Sequence, residues 1–174
     1  GLKIRKGRFD TRLLFKGHDT EADELALLEG EQARRFVWLG DRLTLAGRHL
    51  AASKEYWKAA AAVDEAVPFI QAKLGRALLK LDRVDEAITE LEKALEGYPD
   101  YMLVRLYLGE AWLRRGDPVQ AQRHLEAAVL INPFDPQLHG HLSKVYDALG
   151  DSEAAALARD AHIKVMAHGA RPAP

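Results

Sequence analysis

Between Glu31 and Met166 the apolar residues fall in short stripes at helical spacing, and the stripes come in pairs. Ile70, Leu74, Ala77, Leu78 and Leu81 recur every three or four residues, which places them on one face of a helix. A second stripe follows at Ala87, Leu91 and Ala94, and the next pair opens with Val104, Leu108, Ala111 and Trp112. Turn dipeptides separate the two members of a pair: Ala46-Gly47, Leu81-Asp82, Gly116-Asp117 and Gly150-Asp151. Each pair is predicted to form an antiparallel helical hairpin. Pro99 and Pro133 close two of the units, because proline cannot continue the helical hydrogen-bond ladder.

The pairs keep a common register. Leu39-Gly40, Leu74-Gly75, Leu108-Gly109 and Leu142-Ser143 stand 35, 34 and 34 residues apart. Twelve residues after each small residue comes an alanine: Ala52, Ala87, Ala121, Ala155. Seven further on stand Ala59, Ala94, Ala128 and then His162. Small residues at a helix crossing let two backbones approach closely, and a Leu there would overpack by about 1–3 kcal/mol. No hairpin of this kind covers its apolar face alone, so successive hairpins must stack.

This register resembles that of the tetratricopeptide-repeat family, whose units are 34-residue helix-turn-helix pairs. The Leu-Gly pairs match the family's pattern, as do the large residues Leu43, Leu78, Trp112 and Tyr146 that follow them. The large position between the two alanines is filled by Tyr56, Leu91 and Leu125. The family's early Trp is missing, its place taken by Phe36, Gln71, Arg105 and His139. The resemblance implies an all-α solenoid of about four repeats with a right-handed superhelical twist. The units are expected near 33–66, 68–101, 102–135 and 136–168. In the fourth, Arg159 replaces the large apolar residue and His162 the second alanine, so its second helix, from Ser152 to Met166, is read as a polar-faced cap.

Residues 1–30 stand outside the repeat. The first sixteen carry Lys3, Arg5, Lys6, Arg8, Arg12 and Lys16 against Asp10, a local charge of +5. They are read as a solvated linker or the end of a preceding domain, ahead of a membrane or nucleic-acid arm, because they show no clean helical face. From His18 to Gln32 the charge is −6 with no Lys or Arg. Thr20 is expected to cap a helix there that covers the first repeat. Residues 169–174 are expected to form a flexible tail. The chain begins with Gly rather than Met, from which a longer natural protein is expected.

Composition narrows the chemistry. With 174 residues, 48% apolar and 29% charged, the chain can bury a core. Its net charge of −1 supplies no global field to recruit nucleic acid. No apolar run approaches the roughly 18 residues of a membrane span. The seven histidines suggest no metal site. His139 and His141 point about 200° apart on a helix, and the others lie on separate elements. Trp38, Trp57 and Trp112 are read as packing residues rather than a stacking platform. No phosphate loop or acid–base pair stands out, so no enzyme, no cofactor and no metal are expected.

The resemblance also implies that the first helices line a concave face. On it would stand Arg34, Val37, Asp41 and Thr44; then Phe69, Ala72, Arg76 and Leu79; then Leu103, Leu106, Glu110 and Leu113; then Gln137, Gly140, Lys144 and Asp147. The middle of this stripe is apolar, so the expected partner is a protein or peptide with an apolar or amphipathic segment. Members that clamp the C-terminal carboxylate of chaperones use Lys, Asn and Arg at positions held here by Val37, Asp41, Lys73, Leu103 and Tyr107. That partner is not expected. The reading is a non-catalytic protein-interaction module serving as scaffold or adaptor. The alternatives are a carrier for an apolar segment of a secreted protein, or the interaction domain of a larger enzyme or envelope protein.

Overall fold

The computed structural model describes residues 31–169. Among them are eight helices and no strand: α1 (Glu31–Leu45), α2 (His49–Ala61), α3 (Pro68–Lys80), α4 (Val84–Gly97), α5 (Met102–Arg115), α6 (Pro118–Ile131), α7 (Pro136–Leu149) and α8 (Ser152–Gly169). The basic stretch, the Thr20 helix and residues 170–174 lie outside the described residues. The cap helix α8 runs through His168 to Gly169, beyond Met166.

The helices pair as four antiparallel hairpins. Each hairpin turns through the same two hydrogen bonds. In the third, Gly116 N–H reaches the Leu113 carbonyl and Asp117 N–H the Trp112 carbonyl, and the other three repeat that pair. The turn needs one left-handed residue, supplied by Gly47, Gly116 and Gly150, but by Asp82 (φ 58°) in the second hairpin. Pro68, Pro118 and Pro136 open their helices, where the missing N–H costs nothing. Asp117 and Asp135 cap α6 and α7 by accepting backbone N–H bonds.

The small residues stand where the paired helices cross. A Cβ placed on Gly75 would lie 2.5 Å from Leu91 Cγ, and one on Gly109 would crowd Leu125 Cγ as closely. Gly40 meets the Tyr56 ring in the same way. The fourth hairpin tolerates Ser143 at this register, where the residue facing it in sequence is Arg159 and not a large apolar one.

Stacking buries the other stripe. Ile70, Val104 and Leu138, at one register position of α3, α5 and α7, are wholly buried, as are Leu74 and Leu108 one turn on. The core runs along the array as three contiguous clusters, in keeping with contacts that reach only adjacent units. First helices of neighbouring units, α3 with α5 and α5 with α7, also approach each other, whereas the second helices stay further apart. The array therefore bends toward its first helices, which form the inner face.

Candidate functional site: the inner face

The described inner face divides the expected site residues into two groups. Arg34, Asp41, Arg76, Leu103, Glu110, Leu113 and Lys144 reach the surface wholly or in part. Val37, Phe69, Ala72, Leu79 and Leu106 are buried, none more than 3% exposed. The open apolar groove expected from the sequence is thus corrected to a packed seam. The physical reason is close packing between units: α2 lies against α3, and the first helices α3, α5 and α7 approach one another in turn. Phe69 packs with Val37 and Ile70 between the first two units, Leu79 joins the central cluster, and Leu106 joins the cluster beyond it.

What remains on the face is mostly charged, and successive hairpins alternate in sign. Asp41, Arg76, Glu110 and Lys144 occupy one register position, each just after the small residue of its helix. Lys73, Tyr107 and His141 occupy another, one helical turn earlier. Contacts run diagonally between the two rows. Lys73 Nζ donates to Asp41 (3.0 Å) from the next unit, and the Arg76 guanidinium lies over the Tyr107 ring at 5.9 Å. Asp41 also accepts the Tyr56 hydroxyl at 2.7 Å, so a carboxylate at the surface is anchored to a core residue. Burial pushes the Tyr56 hydroxyl well above the usual phenol range.

Between the second, third and fourth hairpins this face holds a pocket of about 240 Å³. Arg76 and Lys80 of α3 form one wall, Leu103, Tyr107 and Glu110 of α5 the other, and Asp135 closes the end. Glu110 accepts a bond from Arg114 Nη2, while Nη1 of the same guanidinium binds the Leu79 carbonyl at 2.9 Å. Asp135 is engaged by the N–H groups of Gln137 (2.8 Å) and Leu138. Tyr107 has its hydroxyl pKa raised, chiefly by burial. His141 has its imidazole pKa lowered, again chiefly by burial, with Glu110 opposing and Lys144 and Arg114 adding to the effect.

Lys80 and Asp135 were not among the expected site residues. Lys80 lies one turn beyond Arg76 on the same face, a spacing that was legible. Asp135 is a loop residue brought in by stacking. The tryptophans need correcting: Trp38 is 48% and Trp57 40% exposed, and only Trp112 is half-buried. Trp38 stands in the surface row of Lys73 and Tyr107, immediately before the Leu-Gly pair. On the cap helix the two polar residues meet different partners. His162 is half-buried and donates from Nδ1 to the Pro136 carbonyl at 2.7 Å. Arg159 pairs with Asp147 at 2.8 Å. Among the described residues no three His, Asp or Glu side chains converge as a metal-binding group. No helix there is long and apolar enough to cross a membrane.

Residues 78–145 match the family model of the tetratricopeptide repeat. None of the curated proteins is significantly similar to the chain. Among solved structures, a thermophilic TPR protein of Thermus thermophilus is 24% identical with a TM-score of 0.67, over 76% of this chain and 74% of that one. MamA of Desulfovibrio magneticus is 22% identical with a TM-score of 0.73, over 79% and 77%. YrrB, described as a TPR protein with an unusual peptide-binding site, is 20% identical with a TM-score of 0.69, over 76% and 68%. At these identities the likeness is one of fold.

Proposed function

We propose that this chain, whose hairpins are tetratricopeptide repeats, is a non-catalytic interaction module that takes a peptide segment of a partner protein on its inner face. The observation that carries this reading is the pocket lined from two adjacent first helices and the loop before a third. A surface that three units build together suits a ligand long enough to touch all three. The description of YrrB as having a peptide-binding site supports the same use of the fold. An extended peptide gains about 3.3 Å per residue, so a few residues cross the roughly 8–10 Å between packed helices.

Of the surface residues on the stripe, Arg76, Leu103, Glu110 and Gln137 line this pocket. Arg34, Asp41, Leu113 and Lys144 flank it along the same face and would steer direction more than affinity. The carrier alternative loses its footing, because Phe69, Leu79 and Leu106, the apolar residues it needs, are buried.

Selection of a random peptide library on the purified chain tests the reading. Enriched peptides should lose binding when Leu103 is changed to Asp and keep it when Glu92, an exposed residue of the outer helix α4, is changed to Lys. Peptides indifferent to Leu103 would place the binding surface elsewhere.

A further inference from the structure

The inner-face pocket holds four charged side chains, and they are not equally available. Both carboxylates are already engaged, Glu110 by Arg114 and Asp135 by the backbone N–H groups it caps. The two cations differ from them. The Arg76 guanidinium lies over the Tyr107 ring, 5.9 Å from its centroid, a cation–π contact rather than an ion pair. Among the described residues neither Arg76 nor Lys80 meets a carboxylate. Both are exposed. The four charges of the lining cancel formally, but both carboxylates have partners whereas the two cations have no carboxylate, and Arg114 beside Glu110 adds one further positive charge.

The spacing adds a second constraint. Arg76 and Lys80 are one helical turn apart on α3, with about 5–6 Å between their Cβ atoms. In an extended peptide, side chains on one face recur every second residue, about 6–7 Å apart. Two acidic residues separated by one other therefore match the two cations in step. Across the pocket Leu103 is 37% exposed, an apolar wall on the opposite helix.

Resting on the reading of the inner face as a peptide site, we infer that this pocket takes an acidic segment of a partner protein, with alternate Asp or Glu side chains on Arg76 and Lys80 and an aliphatic side chain between them against Leu103. Arg76 supplies the directional contact, since its fork can hold a carboxylate through two N–H groups, while Lys80 acts as a point charge. Arg76 and Lys80, which have no carboxylate of their own, repel a basic segment from the same place.

Short capped peptides alternating leucine with glutamate, glutamine or lysine test this on the full chain by fluorescence polarisation. The glutamate peptide should bind, and its affinity should fall with added salt. Arg76→Glu with Lys80→Glu should weaken it by about tenfold or more and give the lysine peptide a gain, with the helical circular dichroism of the parent retained. Equal binding of the glutamine peptide, or an acidic peptide indifferent to the double change, overturns the inference. If the glutamine or lysine peptide binds and is lost on Leu103→Asp, the inner-face reading stands while the acidic specificity falls. Failure of all three peptides to bind also overturns it, with the inner face then judged by library selection. If the glutamate peptide binds only after Asp23→Asn and Glu24→Gln, the pocket belongs to the chain's own acidic stretch, and the partner assignment is overturned.

Discussion

The central hairpins and the two end hairpins share one register but put different residues into it. At the position of Ile70, Val104 and Leu138 the first hairpin has Arg35, which is exposed. Where Leu74 and Leu108 are wholly buried, Leu39 is 38% exposed. At the other end, the place of the buried Leu91 and Leu125 is taken by Arg159, which reaches a surface ion pair instead. A repeat position is therefore not a chemical role until its neighbour is known. Among the described residues the same backbone site is core between two units and surface at the first and last hairpins.

Truncating one register position in both settings separates core from surface. Leu125→Ala should cost about 2–5 kcal/mol in urea unfolding, because it leaves a cavity under the third crossing. Arg159→Ala should cost under about 1 kcal/mol, the ordinary worth of an exposed ion pair. Comparable losses would mean that the cap is core. Phe69→Ser together with Leu106→Ser belongs with the larger class. The pair should unfold the array rather than merely weaken a partner, as fits residues of the seam.

Next in size is the crossing itself. Gly109→Ala forces a Cβ against Leu125 and should cost about 1–3 kcal/mol, as should Ala87→Leu through overpacking of a fully buried site. Ser143→Ala in the fourth hairpin should cost less, since a side chain is already accommodated there and only its bond to the Gly140 carbonyl is lost. A reversed order in thermal melts would show that the crossings are misassigned.

Acid response comes third. Burial, helped by Arg105 and Arg123, lowers the His124 pKa to about 4. Its folded pKa lies below the unfolded value of about 6.5, so the unfolded chain takes up the proton first. Its contribution is complete above about pH 6.5 and is lost as pH falls toward 4. His124→Gln should flatten the stability profile in that window. An unchanged slope would assign the acid sensitivity to other groups.

The smallest effect concerns the turns. Asp82→Gly removes a side chain from the left-handed position that glycine fills in the other three hairpins, and should stabilise by up to about 1 kcal/mol. No gain in melting midpoint would show that the contact of Asp82 with Arg114 (3.8 Å) matters more than the backbone preference.

The hairpins were legible because their cause is local. Helical spacing, a turn dipeptide and a small residue opposite a large one all lie within thirty-odd residues of each other. The seam was not legible, since Phe69 and Leu106 look like surface until the packing between neighbouring units is known. Asp41 and Lys73 stand 32 residues apart, and only the pitch of the stack brings them together. The available charge on the pocket was hidden for a related reason. Sequence shows that Arg76 and Glu110 alternate in sign, but not that Arg114 has already engaged one of them.

The diagonal contacts on the inner face also have a mechanical meaning. Asp41–Lys73 and Arg76–Tyr107 each tie one unit to the next, and all four groups lie on the inside of the bend. A tension that straightens the array lengthens the inner face first, so we expect these links to part while the buried leucines of the crossings stay in place. The array then acts as a spring with polar catches, extending reversibly before any hairpin unfolds. Single-molecule stretching of the chain beside Lys73→Ala would detect this as a softer initial extension with the same hairpin rupture force, and identical initial stiffness would show that the catches carry no load.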